Sequence, residues 1–267
     1  MKPTDLLTYS IDADVTAFTT TRHGGCSSGN YASMNANYYC GDNIANVENN
    51  REALCSLLGI HTQKLILPRQ THSTNILNIA PTHFTLDDTQ RSHVLENVDA
   101  LITSQTECAI CVSTADCVPI IVYDKRLHVA AAIHAGWRGT VGRIAEKTLQ
   151  MMHQLYGTCG TDCCAVIGPS ISVDNFEVGD EVYEAFSEAG FNMHAIAVKQ
   201  TKWHIDLWRC NQLQMQDCGI RTENIHTVGI CTYSQHKDFF SARRLGILSG
   251  RMLTGIIIHQ NTAFLIR

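Results

Sequence analysis

Residues 100–137 read ALITSQTECAICVSTADCVPIIVYDKRLHVAAAIHAGW, and this stretch decides the fold. It is rich in Val and Ile, and turn-forming sequences interrupt it at residues 115–116 and 124–126. The pattern predicts consecutive strands with no helix between them, which argues against a uniform alternation of strands and helices. We therefore predict an α+β fold, in which a single domain over residues 1–267 layers mixed β-sheets with α-helices.

Apolar periodicity places helices and further strands elsewhere in the chain. Helices are predicted at residues 42–60, 140–157, 179–190 and 206–220. The second of these helices ends at Gly157, and its apolar face, which includes Leu155, is expected to pack on the core. Strands are predicted at residues 163–171, 224–234 and 251–267.

The composition excludes several classes of function. The chain of 267 residues is 45% hydrophobic and 17% charged, as in soluble globular proteins, and its net charge is −5. No run of Lys and Arg marks a surface for nucleic acid or membrane, and no apolar run reaches the roughly 20 residues that span a bilayer. The sequence MKPTDLLTYSIDAD has Asp and Thr where an export signal needs an apolar core. We predict a cytoplasmic protein whose twelve cysteines are thiols or ligands.

Two cysteine motifs in the opening stretch lead to different predictions. Cys108 and Cys111 form a CxxC pair, but no second CxxC pair follows to complete a zinc ribbon. On a strand these two side chains point to opposite faces, so we expect both to be core thiols. Cys117 instead follows a predicted turn, where a rigid scaffold can position a reactive group. The alternative for Cys117 is a buried structural thiol beside that turn.

Two histidines stand beside apolar runs. His72, in LPRQTHST, follows one such run, and His134, in IHAGWRGT, ends another. Arg138 follows His134 where a helix is expected to begin, and a helix start suits an anion. A polar loop residue and a solvated arginine are the ordinary interpretations. Two histidines and a cysteine suit zinc or copper, but their long separations in sequence leave a shared site open.

Two segments that contain arginine are also candidates for anion binding. TTRHGGCSSGNYASMNAN contains Arg22 and Asn35 in a polar, glycine-rich loop that lacks the residue order of a P-loop. FFSARRLG places Arg243 and Arg244 beside two aromatic residues. The spacing there is consistent with either an anion site or a surface ion pair.

The chain resembles a known protein family from about residue 19 to residue 251. The motifs that carry the resemblance are, in order, TTRHGG, SMNAN, LPRQTHS, VDALITS, STADCVPIIVYD, AAAIHAGWRGT, IGPSISVDNFEVGDEV, IDLWRCNQLQ and FFSARR. They are similar to those of the YfiH-like laccase-domain family, which has been described as multicopper polyphenol oxidoreductases and as purine nucleoside phosphorylases with adenosine deaminase activity. The sequence departs from the family pattern at Cys26, Thr71 and Ser73.

The resemblance implies a layered α+β fold and one shared site. In such proteins the histidine of Q-x-H, the cysteine of A-D-C and the histidine of H-A-G-W-R-G converge. Here these are His72, Cys117 and His134, which would be catalytic and would also bind zinc, with copper as the alternative metal. Contacts to the substrate are expected from five residues: Arg22, Asn35, Gln70, Asp116 and Arg138.

The same resemblance favours an enzyme that acts on purine nucleosides. The expected activities are phosphorolysis, with phosphate held by Arg22 and Arg138, deamination of adenosine, and cleavage of methylthioadenosine. The expected partners are purine nucleosides and phosphate, without nucleic acid or membrane, and the protein would be a monomer or a homodimer.

Three alternatives stay open. The first is a metal-free hydrolase with Cys117 as its nucleophile. The second is a copper-dependent polyphenol oxidase, which needs several histidine clusters, commonly built from H-x-H pairs; the thirteen histidines include no such pair. The third is a protein that binds a partner through the same pocket without catalysis.

Overall fold

The computed structural model describes residues 4–260, and it confirms the α+β fold class. Its main body has four layers: a helix, a five-stranded sheet, a six-stranded sheet and a second group of helices. The two large sheets pack against each other through a shared apolar core. Their central strands are therefore buried on both faces, which explains the unbroken apolar runs in the sequence.

Both large sheets mix parallel and antiparallel pairs. In spatial order, the five-stranded sheet contains β1 (Leu6–Tyr9), β2 (Val15–Thr20), β14 (Met252–Ile258), β6 (Ala109–Thr114) and β3 (Leu65–Ile66). The six-stranded sheet contains β13 (Ile225–Thr227), β9 (Cys163–Ile167), β7 (Val118–Asp124), β8 (Val129–Ala135), β5 (Ala100–Thr103) and β4 (Ile76–Ile79). A small third sheet contains β10 (Glu177–Val178), β12 (Trp203–Ile205) and β11 (Ala197–Lys199).

The described residues form eight α-helices, most of which pack on the outer faces of the large sheets. They are α1 (Ile44–Leu58), α2 (Asp88–Val94), α3 (Trp137–Val141), α4 (Ile144–Tyr156), α5 (Asp180–Glu188), α6 (Met193–Ile196), α7 (Leu207–Asp217) and α8 (Ala242–Leu245). The helices predicted at residues 42–60, 179–190 and 206–220 are thus confirmed as α1, α5 and α7. The strand predicted at 224–234 is limited to β13, and residues 261–267 of the predicted terminal strand lie outside the described residues. No helix within residues 4–260 combines the length and apolar character needed to cross a membrane.

Cys108 and Cys111 lie on opposite sides of the strand around β6, as the sequence predicts. Cys108, just before β6, packs between the two large sheets, whereas Cys111 packs on the side of α1. Both side chains are fully buried, and burial raises the pKa of each thiol. They are therefore protonated core side chains, as expected for residues on opposite faces of a strand.

The helix predicted at residues 140–157 is confirmed as α4 over Ile144–Tyr156, but residues 140–143 belong to the end of α3 and to a turn. The chain ends α3 at Val141, and Arg143 takes a left-handed φ of 62° before α4 begins. The turn is tightly packed, since a Cβ on Gly142 would lie 2.6 Å from Cγ2 of Thr74. Ile144, Ala145, Thr148 and Met152 of α4 are buried as predicted, and Tyr156 packs on the core as well. Leu155, predicted to be buried, is 51% exposed.

Gly255 in β14 supplies a test of the packing in the five-stranded sheet. A Cβ at this position would lie 2.3 Å from Cys111 Sγ and 3.1 Å from Phe18 Cζ. We expect G255A to lower the free energy of unfolding by about 1–3 kcal/mol, because the added methyl group forces its neighbours apart. Urea unfolding measures the loss, and the C111A/G255A double variant, which removes the sulfur atom, should regain part of it. Equal stability of G255A and the wild type would contradict this account of the sheet.

Candidate active site

Three loops and strand ends bring His72, Cys117 and His134 together. His72 lies between β3 and β4, Cys117 lies in the turn between β6 and β7, and His134 lies near the end of β8. Cys117 Sγ is 3.7 Å from His72 Nε2, and the two imidazole ring centroids are 4.9 Å apart. One nitrogen of each histidine and the Cys117 sulfur all lie within 4.8 Å of one another. We call this group the His–Cys–His cluster.

The turn that carries Cys117 is held by the residue before it. Asp116 has a left-handed φ of 87°, which is uncommon for a residue with a side chain. Its carboxylate accepts hydrogen bonds from Thr232 Oγ1 at 2.7 Å, from Ser241 Oγ at 3.0 Å and from the Arg243 N–H at 2.7 Å. These bonds tie the turn to the chain that leads into β14, so the Asp116 side chain is occupied by protein contacts.

Gly136, which follows β8, leaves room for the His–Cys–His cluster. A Cβ at this position would lie 2.9 Å from His72 Cδ2 and 3.1 Å from Cys117 Sγ. Any larger residue would therefore push these two side chains apart. Gly136, the first glycine of HAGWRG, therefore allows the side chains of His72 and Cys117 to lie close together.

Asp99, a residue that the sequence reasoning missed, joins the two histidines. It is fully buried just before β5, and its Oδ1 accepts hydrogen bonds from His134 Nδ1 at 2.7 Å and from the His72 N–H at 3.0 Å. Its Oδ2 accepts from the N–H and Oγ of Ser73, at 2.8 and 2.7 Å, and from the Thr71 N–H at 3.2 Å. The sequence feature that could have indicated this role is the acidic residue of VDALITS, because it lies directly before a buried strand.

Charges in and beside the cluster shift the pKa values of Cys117, His134 and Asp99. Burial raises the pKa of the Cys117 thiol, but His134 and His72 together lower it to about 6. Burial lowers the pKa of the His134 imidazole, but Cys117 and Asp99 raise it to about 9. For Asp99, contacts with His134 and Ser73 outweigh burial and lower the pKa to about 2. The charges of the chain itself thus favour a thiolate beside an imidazolium.

The donor set of the His–Cys–His cluster fits a metal ion. Imidazole nitrogen and thiolate sulfur are ligands that zinc and copper accept. Zinc bonds of about 2.3 Å to sulfur and about 2.0–2.1 Å to nitrogen put these atoms about 3.6 Å apart in a tetrahedral site. The observed 3.7 Å between Cys117 Sγ and His72 Nε2 is close to this separation. Within residues 4–260, this is the one such group of three or more His, Cys, Asp or Glu side chains.

A cavity of about 240 Å³ opens beside the cluster. Gln70 lines it, with its amide donating to Ser113 O at 2.9 Å and accepting from the Ser113 N–H at 2.7 Å. Asn37 Nδ2 donates to Ser113 Oγ at 2.7 Å, so one polar wall is held by its own hydrogen bonds. Larger grooves on the described surface contain no member of the cluster. The role of Gln70 toward a substrate stays a prediction.

The two arginines predicted to hold phosphate do not line this cavity. Arg22 donates from Nε and Nη1 to the carbonyl oxygens of Ala32 and His236, at 2.8 and 2.7 Å. Arg138 is exposed, and its guanidinium carbon lies 4.2 Å from the centre of the Trp137 ring. The structure thus keeps both guanidinium groups away from the cavity lining.

Asn35 lies behind the cavity wall. It is fully buried, and its Nδ2 donates to Asp42 Oδ2 at 2.9 Å. Its Oδ1 accepts the Arg251 N–H at 3.1 Å, and Arg251 does line the cavity. Asn35 therefore positions a lining residue that the sequence reasoning did not single out.

Comparison with known proteins covers almost the whole chain. Residues 16–259 match the family model described as multi-copper polyphenol oxidoreductase laccase. A purine nucleoside phosphorylase of Bacteroides thetaiotaomicron is 48% identical over 251 residues, which is 93% of each chain. Adenosine deaminase RL5, from an unknown prokaryotic organism, is 43% identical over 91% of this chain and 93% of its own.

A solved structure supports the same relationship. The structure of a hypothetical protein YfiH from Bacillus licheniformis aligns with a TM-score of 0.87 and 26% identity. The alignment covers 97% of this chain and 100% of that one. The resemblance to YfiH-like proteins in the sequence is thereby confirmed.

Replacing Asp99 with Asn tests whether this carboxylate serves the His–Cys–His cluster. The amide keeps the shape of the side chain but removes the charge that faces His134. We expect D99N to bind zinc about 10- to 100-fold more weakly, because metal-binding histidines depend on such partners for orientation and basicity. Calorimetric titration of the metal-free protein with zinc measures the change. Unaltered zinc affinity in a folded D99N variant would mean that Asp99 serves the fold alone.

Proposed function

This chain belongs to the multi-copper polyphenol oxidoreductase laccase family, and we propose that it cleaves and deaminates purine nucleosides. The observation that carries this proposal is the 48% identity to a purine nucleoside phosphorylase over 93% of both chains. The relative named as an adenosine deaminase, at 43% identity, supports the second activity. Because a fold alone does not define a function, the proposal also depends on the chemistry of the site.

We assign catalysis to His72, Cys117 and His134. These side chains lie together and line one cavity, through which we expect a nucleoside to reach them. Asp99 holds the Nδ1 proton of His134, so Nε2 is the nitrogen that this imidazole offers to the cluster. Asp116 fixes the turn of Cys117 from the opposite side. The chain thus orients each member before any ligand arrives.

We propose zinc as the metal that these three residues hold. Two imidazoles and one thiolate leave a four-coordinate zinc one open position, which is the pattern of catalytic zinc sites. When bound there, zinc would act as a Lewis acid toward whatever occupies that position. Copper accepts similar ligands, but multicopper oxidation needs several metal clusters, and residues 4–260 bring together one.

The proposed substrates are purine nucleosides and inorganic phosphate. In phosphorolysis a phosphate oxygen bonds to the anomeric carbon of the sugar while the purine leaves, and in deamination water replaces the amino group of adenine. Methylthioadenosine has the same purine as adenosine and nearly the same sugar, so we include it among the proposed substrates.

The twelve cysteines are all free, which fits a reducing compartment such as the cytoplasm.

A metal-free cysteine hydrolase is the second candidate. It is favoured by the lowered pKa of Cys117 and by the 3.7 Å between its sulfur and His72 Nε2. A thiolate beside a histidine can act as a nucleophile without metal. Both candidates use the same three side chains, so the requirement for metal separates them.

Replacing Cys117 with Ala should abolish nucleoside cleavage. We expect purine release from inosine, with phosphate, to fall by about 100-fold or more, because the cluster loses its sulfur. Product analysis by chromatography, with adenosine as a second substrate, measures both activities. C159A, which changes an exposed cysteine outside the cavity lining, is the matched control and should keep its activity. Normal turnover by C117A would remove Cys117 from the mechanism.

Removal of metal should distinguish zinc catalysis from cysteine hydrolysis. We expect treatment with a strong chelator to abolish both activities and stoichiometric zinc to restore them, since the donor set suits zinc. Activity assays before and after dialysis against chelator, with metal analysis of each sample, provide the measurement. Full activity without metal, followed by its loss on alkylation of Cys117, would favour the hydrolase.

A further inference from the structure

We infer that Arg251 forms the binding subsite for inorganic phosphate in the cavity of the His–Cys–His cluster. The inference rests on the proposed phosphorylase activity, because phosphate is a substrate of that reaction. It assigns phosphate to a residue other than Arg22 and Arg138, which lie outside the cavity lining.

The position of Arg251 is fixed by its own backbone. It immediately precedes β14, and its N–H donates to Asn35 Oδ1 at 3.1 Å. The side chain is half-buried, and Arg251 lines the same cavity as Tyr39 and Ile247. Arg251 therefore shares one cavity with the three members of the cluster.

The hydrogen bonds of the Arg251 guanidinium leave two of its N–H groups open. Nη1 donates to Ser249 O at 2.7 Å and to Gly250 O at 3.0 Å, and Nη2 donates to Ile247 O at 2.9 Å. The Nε–H and the second N–H of Nη2 have no hydrogen-bond partner within the described part of the chain. A guanidinium that offers N–H groups from two nitrogens binds phosphate oxygens in a bidentate way.

The charge of Arg251 is not neutralised by a carboxylate. Its recorded partners are backbone carbonyl oxygens and the Ser249 hydroxyl, and no ion pair to it occurs among residues 4–260. The cavity lining contains no Asp or Glu. Burial raises the pKa of the Cys40 thiol in the same lining, and the charge of Arg251 is the strongest influence that opposes this rise. A phosphate dianion would therefore meet the positive charge of Arg251 with no carboxylate in the cavity lining.

The reaction balances with phosphate at this position. One phosphate oxygen forms a bond to the anomeric carbon, and the bond from that carbon to the purine nitrogen breaks. The purine leaves with the electron pair and takes up the proton that the hydrogen phosphate dianion loses, which gives a sugar 1-phosphate and the free base. Arg251 would hold the attacking phosphate and offset its charge, and it takes part in no bond change.

A purely structural role is the alternative for Arg251. Its Nη1 and Nη2 groups bind the loop of residues 247–250, which carries Ile247 into the cavity wall. Loss of this support would disturb the cavity for every substrate alike. Loss of a phosphate subsite would act on phosphorolysis, whereas deamination of adenosine uses water and needs no phosphate.

The test compares the two reactions in one protein preparation. In R251Q we expect the KM for phosphate in inosine phosphorolysis to rise about 10- to 100-fold, as for the loss of a charged hydrogen-bonding group. The ratio of phosphorolysis to phosphate-free deamination should fall by about the same factor. R251K keeps the charge but not the two-nitrogen edge, so it should lie between R251Q and the wild type.

Two variants serve as controls. R221Q removes an exposed arginine outside the cavity, and S249A removes a hydroxyl contact of the Arg251 loop but keeps the cation. Both should keep the KM for phosphate. An equal fall of phosphorolysis and deamination in R251Q, or a phosphate KM equal to that of the wild type, would overturn the inference.

Direct binding separates this inference from the proposed function. Phosphorus NMR of inorganic phosphate, titrated with wild type and R251Q, reports binding without turnover. Phosphate binding by the wild type that is lost in R251Q supports the subsite even where no purine is released, an outcome that would overturn only the phosphorylase proposal. A wild-type protein that binds no phosphate would overturn the subsite itself.

Discussion

The site depends on the hydrogen bonds that the buried carboxylate of Asp99 accepts. A carboxylate away from water is costly unless it is hydrogen-bonded, and Asp99 accepts five hydrogen bonds among the described residues. Three come from backbone N–H groups at 71–73, which hold His72 in its left-handed conformation with φ of 63°. Another comes from the imidazole of His134. One side chain at the start of β5 thus fixes both histidines relative to the six-stranded sheet.

Asp116 positions the turn that carries Cys117, as Asp99 positions the two histidines. Its carboxylate binds residues on the chain between β13 and β14, and this chain continues through Arg251 into the five-stranded sheet. One carboxylate thus anchors each side of the His–Cys–His cluster: Asp99 holds the histidines and Asp116 holds the turn of Cys117. The turn that carries Cys117, between β6 and β7, connects one large sheet directly to the other.

The sequence predicts those parts of the structure that depend on residues close together in the chain or on recognisable motifs. Apolar runs predicted β5 to β8, strand alternation predicted the opposite faces of Cys108 and Cys111, and motif resemblance placed His72, Cys117 and His134 together. Asp99 escaped because its partners lie 26 to 35 residues away, and no local spacing connects them. Arg251 escaped for the same reason, since its place in the cavity follows from the pairing of β14 with β6. The break between α3 and α4 lies at the left-handed φ of Arg143, beside the tightly packed Gly142, and hydrophobic periodicity records neither feature.

The names attached to the relatives describe different reactions, and the site discriminates among them. The family description names a multicopper oxidoreductase, and oxidation of that kind needs several copper ions within reach of one another. Residues 4–260 form one three-ligand cluster, with a cavity whose wall carries an arginine and no carboxylate. A single cluster with an open position suits activation of one bound molecule, and a cationic wall suits an anionic substrate. The proposed phosphorolysis would use both features and the proposed deamination the first, whereas the removal of electrons from a phenol gains nothing from the phosphate subsite that we infer at Arg251.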